Sequence, residues 1–295
     1  FFGLSGFLVA GSFERSRCAG DFLLRRARRI FPGLWACLAF TALVIAPLLY
    51  AARHHGLHDF PWGGHDGAFS YIVGNLALLV RQWSIAHVLD GAPYAGSLNG
   101  SLWSLSLEFG CYLGLAGLGL ADALTSRRWL LALGTSMLLV LHAARTLAPS
   151  ADTPLLPAPV VLTTHTPFVA AFLVGTCIYV WRAALTPGWP AALALAVIAA
   201  LLLRWGGFHL LQPLLIPLLV IQTGLSFSLP LRHDYSYGLY IYGFPVQQIL
   251  ATWPLARSHW LVFFTASLVV TLLCAMLSWH WVEKPFLRRS SAPVE

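Results

Sequence analysis

The 295 residues are 58% hydrophobic and only 10% charged, with a formal net charge of +7. So little polar surface excludes a soluble globule of this size, and the scatter of basic residues among short loops excludes a single nucleic-acid-binding face. Long Leu- and Ala-rich stretches that hold Gly and Pro, with no regular alternation over ten residues, fit helices rather than a barrel, so the expected fold is an all-α, polytopic transmembrane bundle.

The chain opens FFGLSGFLVAGSF, uncharged from Phe1 to Phe13 and closed by Glu14, Arg15 and Arg17. At about 1.5 Å per residue this run reaches roughly 20 Å, short of the ~30 Å hydrocarbon core, and reads as a chain that starts inside a membrane helix. Further spans are expected at 30–50, 101–121, 129–147, 166–182, 189–204, 208–226, 235–252 and 260–281, nine crossings with the first. SYIVGNLALLV (70–80) is cut off by Arg81 and Gln82 and reads as an interfacial or half-inserted helix. The loop-rich stretch 51–100 and LAPSADTPLLPAPV (147–160) read as outer loops.

Charge orients these spans, because short cytoplasmic loops hold an excess of Lys and Arg. If the first run ends in the cytoplasm, alternation places Arg15, Arg17, Arg25, Arg26, Arg28, Arg29, Arg127, Arg128, Arg182, Arg232, Lys284, Arg288 and Arg289 inside, thirteen of the eighteen basic residues. Arg53, Arg81, Arg145, Arg204 and Arg257 are left outside. The expectation is one membrane domain over 1–289 with a short cytoplasmic tail at 290–295, in a parent of ten helices. The five cysteines (Cys18, Cys37, Cys111, Cys177, Cys274) lack metal-ligand spacing, four lie in apolar segments, and they read as ordinary buried thiols.

Glu108, in GSLWSLSLEFGCYLGL, is the one carboxylate well inside an expected span. An acid there costs about 2.5–3.5 kcal/mol on insertion scales, so it should face a cavity or a partner. It is a candidate general base, orienting group for a histidine, or partner for an arginine, against the plainer alternative of a structural pair locking two helices. DFLLRRARRIFP (21–32) puts Arg25, Arg26, Arg28 and Arg29 at the cytoplasmic mouth of the second span. Arg25 and Arg29 share a helix face, with Arg26 displaced by about 100°. They read either as a positive-inside anchor at lipid headgroups or as a clamp for a phosphate-bearing donor. The histidines of RHHGLHDFPWGGHD (His54, His55, His58, His65) read as polar loop residues rather than zinc ligands, and His142, His165, His209 and His280 as interfacial.

Five segments in order, FFGLSGFL (1–8), FLLRRARRIFP (22–32), SLWSLSLEF (101–109), SYGLYIYGFP (236–245) and VEKPFLRR (282–289), resemble the acyltransferase-3 family of integral membrane acyltransferases that O-acetylate bacterial glycans. The resemblance runs over essentially the whole chain. It implies transfer of an acyl group, usually acetyl from acetyl-CoA, to a sugar hydroxyl of a cell-surface or lipid-linked glycan at the bacterial inner membrane. The donor would enter from the cytoplasm. Matched motifs make Arg26 and Arg29, then Arg25, the donor-site candidates, with Ser5 and Gly6 beside them, and imply no metal. The family's catalytic histidine lies in the helix before the first motif, so the base is expected upstream of Phe1. Gly243 stands where many relatives have histidine. Two other functions fit a basic bundle with one buried acid: a transporter or flippase of a lipid-linked saccharide, which would call for more ionisable residues along a midplane path, and a catalytically inactive relative.

Overall fold

The structure is a computed structural model that describes residues 1–147, 164–184, 188–227 and 233–288. Nearly all of the expected loop 147–160, the tail 290–295, Arg232 and Arg289 lie outside the described residues. Among those described there are helices and turns but no strand. In chain order they are α1 (Phe2–Glu14), α2 (Ala19–Phe40), α3 (Ala46–His54), α4 (Ala68–Asn75), α5 (Leu102–Leu120), α6 (Arg128–Leu147), α7 (Thr166–Val180), α8 (Trp189–Trp205), α9 (Phe208–Ser226), α10 (Ser236–Leu250), α11 (Pro254–Ser258), α12 (Trp260–Ser278) and α13 (Lys284–Arg288). A π-helical turn, Thr41–Ile45, joins α2 to α3, and another, Trp279–Glu283, joins α12 to α13. Each is followed two residues later by a proline, Pro47 or Pro285, which cannot donate to the preceding turn.

Every expected span contains a helix, yet among the described residues only four helices are long and apolar enough to cross a membrane: Ala19–His54, Arg128–Leu147, Phe208–Ser226 and Trp260–Leu287. Phe2–Glu14, Thr166–Val180 and Trp189–Trp205 are apolar but shorter. Helices α5 and α10 fall outside both groups. Their hydropathy is diluted by Ser104, Ser106, Glu108 and Tyr112 in one, and by three tyrosines and two glutamines in the other. Nine crossings therefore do not follow from length and hydropathy alone. The 70–80 stretch is helical only through Asn75, and the eight-residue α4 is too short to span. Asn75 Oδ1 accepts the backbone N–H groups of Arg81 and Gln82, which ties the chain back on itself there.

Two compact units form, each discontinuous in sequence: Phe1–Leu23 with Leu107–Pro230, and Leu24–Ser106 with Leu231–Glu295. In the first, α1 packs against α7 through small residues. A Cβ on Gly6 would run into the Phe172 carbonyl, and one on Gly175 into the Gly3 carbonyl, so the two backbones approach as only glycine allows. Val174 and Ile178 of α7 and Ile221 of α9 form a core there, with Phe7, Leu139 and Leu218 against it.

Proline inside an apolar helix frees the carbonyl four residues earlier, and in hydrocarbon that oxygen needs another donor. Pro213 frees the carbonyl of His209, and the His142 ring Nε2 donates to it at 2.8 Å. His142 is thus a helix-locking donor. In the second unit Pro245 frees the carbonyl of Ile241, which receives Asn99 Nδ2 at 3.0 Å and the Cys37 thiol at 3.3 Å.

Candidate functional site

In the first unit the site is built around Glu108. Its side chain, 6% exposed, is set on α5 with Tyr112 one turn further on, so both lie on one helix face. Tyr112 donates its hydroxyl to Glu108 Oε1 at 2.5 Å, and Ser5 Oγ of α1 donates to the same oxygen at 2.7 Å. Two short hydroxyl donors on one oxygen stabilise negative charge there and fix the carboxylate's orientation. Phe22 and Phe172 stand edge-on or tilted to the Tyr112 ring, each with centroids 6.4 Å away. Ser5 therefore meets the acid, while its neighbour Gly6 serves the α1–α7 approach.

In the second unit α2 carries Arg25, Arg26, Arg28 and Arg29, all partly buried. Arg29 has a defined setting. Its Nη2 lies 2.5 Å from Asp234 Oδ2 and its Nη1 3.6 Å from Glu283 Oε2. The guanidinium carbon stands 5.5 Å from the centre of the Trp279 ring and 6.0 Å from that of Tyr237. Tyr237 in turn donates its hydroxyl to the Ile30 carbonyl at 2.7 Å, and its ring fills the space a Cβ on Gly33 would need. Burial pushes the Asp234 carboxyl up, but the Ser236 hydroxyl and the Arg29 charge outweigh it and hold the group below the usual carboxylate range.

Glu283, two residues beyond the expected span 260–281, is a second buried carboxylate. It is 2% exposed, accepts from Ser278 Oγ at 2.9 Å, and lies within the continuous helix Trp260–Leu287. Sequence reasoning missed it because VEKPF follows an apolar run and reads as the charged end of a span. Asp234 was missed as well, although an aspartate just before a helix commonly forms an Asx-type turn with the backbone two residues on. Its carboxylate accepts the Ser236 backbone N–H at 3.1 Å. Tyr112 was legible from its spacing to Glu108 and was not singled out.

The predicted site residues therefore fall into two groups. Ser5, Gly6 and Glu108 belong to the first unit, and Arg25, Arg26 and Arg29 to the second. His58 pairs with Asp59 at 3.1 Å and His65 with Asp66 at 3.2 Å on the exposed surface of the 51–100 stretch. No group of three or more His, Cys, Asp or Glu suited to a metal occurs among the described residues.

No family model matches the chain, and no solved structure does. The chain is similar to an O-acetyl transferase of Shigella phage Sf6, 28% identical over 304 residues that cover 99% of this chain and 84% of that protein. It is also similar to nodulation protein 10 of Rhizobium leguminosarum bv. viciae, 28% identical over 120 residues, which are 39% of this chain and 30% of that protein.

Proposed function

We propose that the protein is a membrane O-acyltransferase that moves an acetyl group from acetyl-CoA to a sugar hydroxyl of a cell-surface or lipid-linked glycan. The near full-length likeness to the phage O-acetyl transferase carries this reading. The resemblance of the five motifs and the buried Glu108 with its two hydroxyl donors support it. The chain would act as one domain over 1–289 in the bacterial inner membrane, crossing it nine times with its C-terminus in the cytoplasm.

The chemistry sets what the side chains must do. The sugar oxygen attacks the thioester carbonyl, a C–O bond forms, the C–S bond breaks, and the CoA thiolate leaves. The hydroxyl proton passes to a base as the bond forms, and it ends on the leaving sulfur. Glu108 orients and charge-balances the histidine base that the resemblance implies. Ser5 and Tyr112 hold its carboxylate in one orientation for that task. Arg25, Arg26 and Arg29 bind the donor's phosphates, for which guanidinium forks are well shaped.

The test is steady-state kinetics in membranes. Glu108→Gln should lower kcat about 10²–10⁴-fold while leaving membrane insertion unchanged. Arg26→Ala and Arg25→Ala should raise the KM for acetyl-CoA more than that for the acceptor. Normal turnover of Glu108→Gln would make that residue structural, and unchanged donor dependence in the arginine variants would return them to a lipid-anchor role.

A further inference from the structure

Arg29 is held by four groups of unequal permanence. Glu283 is 2% exposed and fixed by Ser278 at 2.9 Å, and Trp279 and Tyr237 flank the guanidinium as packed rings. These three lie on helical segments, with Glu283 Oε2 3.6 Å from Nη1. Asp234 differs. Its side chain is 58% exposed, against 20% for Arg29, and it sits just before α10 rather than within a helix. It also makes the shortest contact to Arg29, 2.5 Å to Nη2.

We infer that Asp234 is an internal anion that occupies the donor-phosphate position on Arg29 and is exchanged for the donor when it binds. This rests on the proposed role of the arginine cluster in donor binding. An arginine fork takes a carboxylate or a phosphate through the same N–H groups, so the two cannot share that edge. With Asp234 in place, one guanidinium faces two carboxylates, and an arriving phosphate meets the Asp234 carboxylate on the solvent edge. With Asp234 swung out, the edge toward solvent opens while Glu283 and the two rings still hold Arg29. The exchange keeps the arginine neutralised when no donor is present and sets a threshold for donor affinity. An exposed pair is weak, so the threshold is modest, about fivefold in affinity.

Substitution separates this exchange from a plain structural pair. Asp234→Asn keeps an oxygen to accept the Ser236 N–H, since asparagine forms the same Asx-type turn as aspartate, but presents Arg29 with a neutral side chain. Asp234→Ser is a second neutral variant whose hydroxyl can form the corresponding turn, more weakly. The full chain, purified in lipid nanodiscs, is titrated with CoA, and the thermal midpoint of each variant is recorded. Asp234→Asn and Asp234→Ser should bind CoA about fivefold tighter with little change in midpoint, and Arg29→Ala should bind it at least tenfold more weakly. Unchanged or weaker CoA binding in both Asp234 variants, with Arg29→Ala still impaired, overturns the exchange and leaves the donor site standing. CoA binding that ignores Arg29→Ala overturns both.

Discussion

Glu108 and Glu283 are both buried carboxylates on helices of an apolar chain, yet their settings differ. Hydroxyls of Ser5 and Tyr112 converge on one oxygen of Glu108. Glu283 takes a single hydroxyl, from Ser278, and faces the Arg29 guanidinium. Two hydroxyl donors on one oxygen hold a carboxylate in a single orientation. A carboxylate facing a guanidinium spends its charge on holding the cation in place. Under the proposed function the first setting belongs to the group that orients the base, the second to one that positions a donor-binding arginine.

This contrast can be broken by variants that separate kcat from KM. The largest effect is expected at the Glu108 hydroxyls: Ser5→Ala combined with Tyr112→Phe should lower kcat by about 100-fold or more, with donor KM nearly unchanged, since each hydrogen bond to a charged group contributes about 1.5–3 kcal/mol. A change confined to KM would assign the hydroxyls to binding. Glu283→Gln keeps the Ser278 bond and removes the charge facing Arg29; it should raise the acetyl-CoA KM about fivefold at near-normal kcat. A matching fall in kcat would remove the distinction between the two acids.

Smaller effects test the frame that holds each acid. Gly6→Ala should lower stability by about 1–3 kcal/mol, read as a fall in thermal midpoint, because the added methyl meets the Phe172 carbonyl. His142→Ala should cost about 1 kcal/mol by leaving the His209 carbonyl without that donor, and adding Pro213→Ala should recover part of the loss by restoring a backbone N–H. An additive loss in the double variant would contradict this role for His142. The smallest effect belongs to the exposed Glu14–Arg182 pair at 3.1 Å. The Tyr179 hydroxyl, then Arg182, holds the Glu14 carboxyl below its usual range. A lowered carboxylate pKa contributes stability above the ordinary carboxylate range and loses it as pH falls through the folded value. The charge pairing lost in Arg182→Ala should therefore cost at most about 0.5 kcal/mol at neutral pH, and that share of the loss should vanish in strong acid.

The helical class and the positions of the helices were legible from the apolar runs, and the burial of Glu108 because an acid in LSLEFG stands against apolar neighbours. The arginine run was legible as charge, but its partner Asp234 lies 205 residues away in the chain, a distance no local pattern bridges. Glu283 was hidden by its neighbour Lys284, which makes the segment look like a solvated end. Pro213 announced an orphaned carbonyl, while the histidine that fills it comes from a different helix and could be read only in three dimensions. Ser104, Ser106, Glu108 and Tyr112 lower the hydropathy of α5, and the tyrosines and glutamines that of α10, so these two helices are among the hardest to recognise as spans.

The most direct measurement follows radiolabelled acetyl-CoA in membranes containing the protein and a saccharide acceptor. The expected result is label recovered on carbohydrate as an ester released by mild alkali, and lost in Glu108→Gln. Saccharide moved across the bilayer with no acetyl ester formed would contradict an acyltransferase and establish a transporter.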